Sequence, residues 1–126
     1  MNAQKKKYKV EALGCRTNQY EAQAFRDQLE ALGYVAAEEG EEADICIANT
    51  CTVTESADSH SRHLVRQLIK QNPQAKVCVT GCFAERDPAA LLQIRGVTDV
   101  VSNKDKERLV ELVLPGEAEY PEFSIK

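Results

Sequence analysis

Three cysteines stand at equivalent places in a chain of 126 residues. Each closes an apolar, strand-like run and comes just before a helical stretch. The runs are Lys9 to Cys15 (KVEALGC), Asp44 to Cys51 (DICIANTC) and Lys76 to Cys82 (KVCVTGC). If the three strands are parallel neighbours, Cys15, Cys51 and Cys82 meet at one edge of one sheet. Thiolates are the ligands that soft iron and zinc take. Helix N-termini carry unpaired N–H groups and partial positive charge, which stabilise a thiolate. Gly14 and Gly81 have no side chain, so backbone there can approach a bound group closely. Three converging thiolates with no fourth describe a metal site with one position open.

Spacing separates the metals. Structural zinc takes four ligands, commonly from a tight C-x2-C pair. Here the separations are 36 and 31 residues and the count is three. His60 and His63 could supply a fourth ligand, but they fall within a helical stretch and read equally as a solvated face shared with Arg62, Arg66 and Lys70. A [4Fe–4S] cluster with one exchangeable iron suits three cysteines better. A redox-active thiol pair and unconnected packing remain the other readings of the residues. The remaining two cysteines, Cys46 and Cys78, sit inside apolar strands and read as small buried hydrophobes. Asn18, Asn49, Thr50, Thr52 and Thr54 surround the same edge, where they either form turns and caps or hydrogen-bond to ligands from a second layer.

The scaffold that carries these residues can be read from pattern. Tyr8 to Leu13, Asp44 to Asn49 and Lys76 to Thr80 read as strands, with Tyr34 to Ala37 a brief edge and Val97 to Val101 a short fourth strand. Asn18 reads as an N-cap with Glu21 as its capping-box partner, ahead of an apolar stripe at Ala22, Phe25, Leu29 and Leu32. Gly33 closes that helix. A second helix runs to about Gln71 with Leu64, Val65, Leu68 and Ile69 inward, and Asn72-Pro73 ends it. Gly81 to Arg86 reads as a loop. Asp87-Pro88 opens a short helix lined by Leu91, Leu92 and Ile94, and Asn103 to Leu114 forms a last helix with Leu109, Val110 and Val113 inside. Alternating strand and helix predict an α/β fold: an open, mostly parallel sheet flanked by helices, three-layered, flavodoxin-like or Rossmann-like. Ligands of such sheets bind beyond the carboxyl ends of the strands. Residues 1–116 are expected to form one domain, and 117–126 a linker or the opening of a neighbour.

Composition limits the function classes. The formal net charge is −4, which argues against this domain gripping a nucleic-acid backbone by itself. Tryptophan is absent and Phe plus Tyr amount to 6%, so no base-stacking platform is evident. No apolar run approaches membrane-spanning length. The lysine-rich start has no apolar core of a signal peptide, and an odd cysteine count disfavours a disulfide scaffold. The cytoplasm is the expected compartment. A glycine-rich phosphate loop is missing, which disfavours a simple phosphate-binding domain.

Three stretches together resemble a known family. Leu13-Gly14-Cys15-Arg16-Thr17-Asn18-Gln19-Tyr20-Glu21, Asn49-Thr50-Cys51-Thr52-Val53-Thr54 and Val79-Thr80-Gly81-Cys82-Phe83-Ala84 resemble, in order and spacing, the motifs of the N-terminal domain of the radical-SAM methylthiotransferases, over about residues 8 to 114. The resemblance implies that Cys15, Cys51 and Cys82 hold an auxiliary [4Fe–4S] cluster. It also implies a radical-SAM domain with a second [4Fe–4S] cluster and SAM, a C-terminal RNA-binding domain, tRNA as substrate, and sulfide or polysulfide as sulfur source. The C-x3-C-x2-C motif of the radical-SAM domain does not occur in this chain, so the chain is expected to be inactive alone. The stretch Asn49 to Thr54 with Ala57-Asp58 and Ser61-Arg62 looks most like the branch acting on N6-threonylcarbamoyladenosine 37, the isopentenyladenosine branch being the alternative, with a non-catalytic metal or electron-transfer module behind both. Thr17 departs from the small apolar residue expected there. In that family one SAM supplies methyl and another yields the radical that removes hydrogen from adenosine C2. Arg62, Arg66 and Lys70 share one helix face and either contact tRNA or are simply solvated.

Overall fold

Runs that are apolar on both faces need cover on both faces, and they obtain it in a parallel sheet. The computed structural model describes residues 6–14, 16–38, 40–50 and 55–113, and for 55–58, 82, 85, 106 and 107 the backbone only. The stretch expected as a linker, 117–126, lies outside the described residues. Five strands, β1 (Lys7–Ala12), β2 (Val35–Ala36), β3 (Ile45–Thr50), β4 (Lys76–Gly81) and β5 (Asp99–Val100), form one sheet in the order β2-β1-β3-β4-β5. Every pairing is parallel. The helices are α1 (Arg16–Ala31), α2 (Glu55–Gln71), α3 (Cys82–Arg86), α4 (Pro88–Leu92) and α5 (Leu109–Val113), the last preceded by a 3-10 stretch, Asn103–Arg108.

The two-residue period of the strands divides the core. Val10, Ile45, Ile47 and Cys78 pack with Phe25 and Leu29 of α1 and with Leu109, Val110 and Val113 of α5. Cys46, Ala48, Val77 and Val79 pack with Val65 and Leu68 of α2, Phe83 of α3 and Leu91 of α4. All six residues of β3 are buried. The result is a three-layer α/β sandwich, as the alternation of patterns predicts.

Several local readings hold and several do not. Gly33 has φ +96° and ends α1 in a Schellman arrangement: Gly33 N–H donates to Glu30 O, and Tyr34 N–H to Leu29 O. Asp87 caps α4 by accepting from Ala90 N at 3.2 Å, with Pro88 next. Asn72 does more than end α2. It is buried, donates to Leu68 O at 2.9 Å and accepts from Ala43 N at 2.7 Å, so it ties the end of the helix to the entry of β3.

Asn18 is not an N-cap. It is the third residue of α1 and is buried, because its amide satisfies loop carbonyls that no local pattern reveals. Glu21 correspondingly serves Asn49 rather than a capping box. Gly81 to Arg86 is not a loop: Gly81 ends β4 and α3 begins at the next residue. Leu92 is exposed, since its neighbour Leu91 takes the inward position of so short a helix. The last helix is split, its first half a 3-10 stretch.

The order of the strands marks one end of the sheet as the place for a ligand. From β1 the chain passes through α1 to β2 at the edge, then returns across β1 to β3 without a helix. Succession therefore reverses between β1 and β3. In open α/β sheets that switch point, at the carboxyl ends of the strands, is where ligands bind.

Candidate metal centre at the carboxyl end of the sheet

β1, β3 and β4 end side by side. Ala12 pairs with Asn49, and Thr50 with Gly81. Cys51 follows Thr50 directly, Cys82 follows Gly81 directly, and Cys15 is the third residue after Ala12. The three strands that precede the cysteines in the chain thus end next to one another at the switch point. Cys15 and Cys51 lie outside the described residues, as does the side chain of Cys82, whose backbone opens α3. Thr52 and Thr54 lie outside them too. Among the described residues no group of three His, Cys, Asp or Glu could hold a metal ion. His60 and His63 are exposed on α2.

The polar side chains at this end of the sheet are well defined. Asn18 Nδ2 donates to Leu13 O at 2.7 Å and to Thr50 O at 3.1 Å, so one buried amide joins the ends of β1 and β3. Asn49 Nδ2 returns the link by donating to Asn18 O at 3.0 Å and to Glu21 Oε1 at 3.2 Å. Thr50 Oγ1 donates to Thr80 O at 2.7 Å, and Thr80 Oγ1 to Val101 O at 2.7 Å. Gln19 reaches back to Ala12 O. A continuous polar ladder therefore locks β1, β3, β4 and the segment after β5 at one end. Such bonds are cheap to keep and costly to break, because a buried group left without a partner forfeits about 1–3 kcal/mol. Thr80 and Glu21 are members that the sequence motifs contain but whose roles depend on strand register, which no local pattern reports.

One atom of the ladder is left over. Asn49 Oδ1 is buried and has no hydrogen-bond partner among the described residues. The amide cannot simply be flipped, since both partners of Nδ2 are acceptors. Oδ1 faces Gly81, where an added Cβ would stand 2.8 Å from it. Gly81 has φ +101° and ψ −169°, a conformation open in practice to glycine alone. Gly14 also has positive φ, +89°. A broad groove of about 730 Å3 lies elsewhere, between β1, the 37–41 connection and α2. It mixes Lys9 with Glu11, Glu38 and Glu41, and among the described residues that line it there is no cysteine, so it offers no thiolate.

Cys46 and Cys78 are the inert pair. Both are wholly buried. Burial raises the Cys46 thiol from 9.0 to about 11, and burial, assisted by Asp99, raises Cys78 further. Iodoacetamide at pH 8 on the folded, metal-free chain should therefore add no more than three alkyl groups, against five in denaturant; four or five in the native state would show one of these strands to be open. The folded state holds the Cys46 proton more tightly than the unfolded chain. Its contribution to stability is thus complete below about pH 9 and is lost as pH rises through 11.

Comparison with known proteins agrees with this architecture. The model of "Uncharacterized protein family UPF0004" matches residues 7–103, from β1 to the start of the 3-10 stretch. The threonylcarbamoyladenosine tRNA methylthiotransferase MtaB of Chlamydia pneumoniae is 50% identical over 119 residues, 94% of this chain and 28% of that protein. Its namesake in Bacillus subtilis is 41% identical over 98 residues, 78% of this chain and 22% of that protein. The tRNA-2-methylthio-N(6)-dimethylallyladenosine synthase of a Parafrankia species is 36% identical over 97 residues, 75% of this chain and 20% of that protein. The chain thus spans 20–28% of the length of these relatives. No helix among the described residues is long and apolar enough to cross a membrane. The match over residues 7–103, most of the described fold, means that the chain belongs to the UPF0004 family, and it is more similar to these two MtaB proteins than to the dimethylallyladenosine synthase.

Proposed function

We propose that this chain is the sulfur-handling domain of a tRNA methylthiotransferase that modifies C2 of N6-threonylcarbamoyladenosine 37, with Cys15, Cys51 and Cys82 holding an auxiliary [4Fe–4S] cluster. The observation that carries the reading is that the strands preceding the three cysteines in the chain end side by side, with Ala12 paired to Asn49 and Thr50 to Gly81. The donors suit the group: the segments leaving β1, β3 and β4 begin Leu13-Gly14-Cys15, Cys51 and Cys82, offering thiols and no carboxylate or imidazole. When bound, such a cluster offers one iron without a protein ligand, at which sulfide or polysulfide sulfur can be held. The identity to the MtaB relatives supports threonylcarbamoyladenosine over dimethylallyladenosine as the nucleoside. SAM, the second [4Fe–4S] cluster and the RNA-binding domain belong to the whole enzyme, whose setting would be the cytoplasm.

The chain's own residues contribute rigidity. Asn18 fixes the distance between the carbonyls of Leu13 and Thr50. Thr50 and Thr80 hold the end of β3 to β4 and β4 to Val101. Gly81 keeps that junction free of a side chain. Supporting bonds of this kind typically change metal affinity or activity 10- to 100-fold when removed.

Anaerobic reconstitution of this chain with iron and sulfide should give about four of each per chain, and added polysulfide should change the iron spectrum. One zinc per chain and no response to polysulfide would replace the assignment with a closed structural site. In the full-length enzyme, mass analysis of tRNA nucleosides should show methylthio-threonylcarbamoyladenosine as product.

A further inference from the structure

Arg62 and Arg66 stand one turn apart on α2 and line a groove of about 490 Å3 together with Arg95, from the turn after α4. Ala90, Gln93 and Ile94 also line it, and among the described residues no carboxylate does. All three arginines are exposed. None makes an ion pair or a hydrogen bond among the described residues. Lys70, which shares the helix face by sequence, does not line the groove; Arg95, distant in sequence, does. The Arg62 guanidinium lies 5.3 Å from the centroid of the Phe83 ring, and Phe83 is the buried residue next to Cys82 in α3. One wall of the groove is thus anchored to the element that Cys82 opens.

Three guanidinium groups gathered on a chain of net charge −4, with no carboxylate partner among the described residues, run against its overall electrostatics. Desolvating them against one another without a counter-ion gains nothing, whereas a planar guanidinium forks readily onto phosphate oxygens. Among the described residues that line the groove Ile94 is the only large apolar one, so it suits an anionic backbone better than an apolar peptide. We propose that this groove binds backbone phosphates of the RNA substrate and holds the nucleic acid beside the cysteine-bearing edge. The proposal rests on the assignment of tRNA as substrate and adds to it the surface through which this domain takes part in substrate binding.

The test uses the 126-residue chain and a fluorescent anticodon stem–loop RNA, with anisotropy read at several salt concentrations. The unsubstituted chain should bind at low salt. The triple variant Arg62→Gln, Arg66→Gln, Arg95→Gln should bind at least about tenfold more weakly, and its slope of log affinity on log salt should be shallower by about 2–3, one phosphate contact for each arginine. A control triple variant of the same charge change, Lys70→Gln, Lys104→Gln, Arg108→Gln, should keep most of the affinity. Equal losses in both variants would reduce the effect to net charge, and no loss in the groove variant, or no binding by the unsubstituted chain, would overturn the groove. Iron and sulfide content measured on the same samples reads the cluster assignment separately. A chain that takes up four irons yet binds RNA without these arginines sinks only the groove; one that takes up none sinks the reading beneath it.

Discussion

Alanine in place of any one of Cys15, Cys51 or Cys82 should abolish methylthio transfer by the full-length enzyme, lowering it by more than about 100-fold, beyond the range that loss of a merely supporting partner produces at a metal site. The expectation follows from counting. Three protein ligands leave one iron for the sulfur source, and two leave the cluster without a fixed orientation. Alanine at Cys46 or Cys78 should do the reverse. Those side chains are wholly buried in the two cores, so truncation removes packing and costs on the order of 1 kcal/mol of stability, near the centre of measured single-residue effects. Iron content and activity per folded molecule should stay unchanged. Reconstituted iron, thermal midpoint and activity measured on all five single variants separate the two classes. Full iron and full activity in a variant of Cys15, Cys51 or Cys82 would remove that residue from the site. A site built instead around Cys46 or Cys78 would show itself by iron loss in those variants.

The architecture was legible because the chain writes it redundantly. The stretches Asp44 to Asn49 and Lys76 to Thr80 are apolar through their centres and short, and both became interior strands with buried cysteines. Gly33 and Asp87-Pro88 carry their meaning within a few residues, so their caps could be read directly. What failed was local reading of residues whose partners are distant. Asn18 with Glu21 has the form of a capping box, yet the amide is worth more inside, where it satisfies carbonyls of Leu13 and Thr50 that would otherwise be buried without donors. Gly81-Cys82 has the form of a loop, yet α3 starts there because glycine adopts the unusual backbone that turns a strand directly into a helix. Likewise Arg95 joins Arg62 and Arg66 only because the turn after α4 lies against α2, with Gly96 beside Ile69, a relation without a sequence period. A parallel sheet flanked by helices could be read from the alternation of elements, but the order β2-β1-β3-β4-β5, which sets the ends of β1, β3 and β4 side by side, could not. The bonds that hold those ends together depend on register and needed coordinates.

Register also makes Gly81 a sensitive position. A Cβ at Gly81 would lie 2.4 Å from Thr50 O, 2.6 Å from Thr50 N and 2.8 Å from Asn49 Oδ1. Two of these atoms are backbone of the central strand and cannot swing aside. The conformation itself, φ +101° and ψ −169°, adds about 1–3 kcal/mol for any residue with a side chain. Gly81→Ala should therefore destabilise the domain by at least about 3 kcal/mol, which for a domain near 100 residues lowers the thermal midpoint by roughly 12–24 °C. Gly33→Ala is the matched control. Its φ is +96°, but nothing lies within 4 Å of the added carbon, so only the backbone cost of about 1–2 kcal/mol applies. Relief at Gly81 requires the end of β4 to move away from β3. That movement breaks the Thr50–Thr80 bond and parts the strand ends from which Cys51 and Cys82 leave. Iron uptake by Gly81→Ala should consequently fall well below four per chain even at temperatures where circular dichroism shows it folded, while Gly33→Ala takes up its full complement. Equal midpoints for the two variants would mean that β3 and β4 are not held in this register. A destabilised Gly81→Ala that still took up four irons when folded would mean that the three cysteines reach the cluster without help from the paired strand ends.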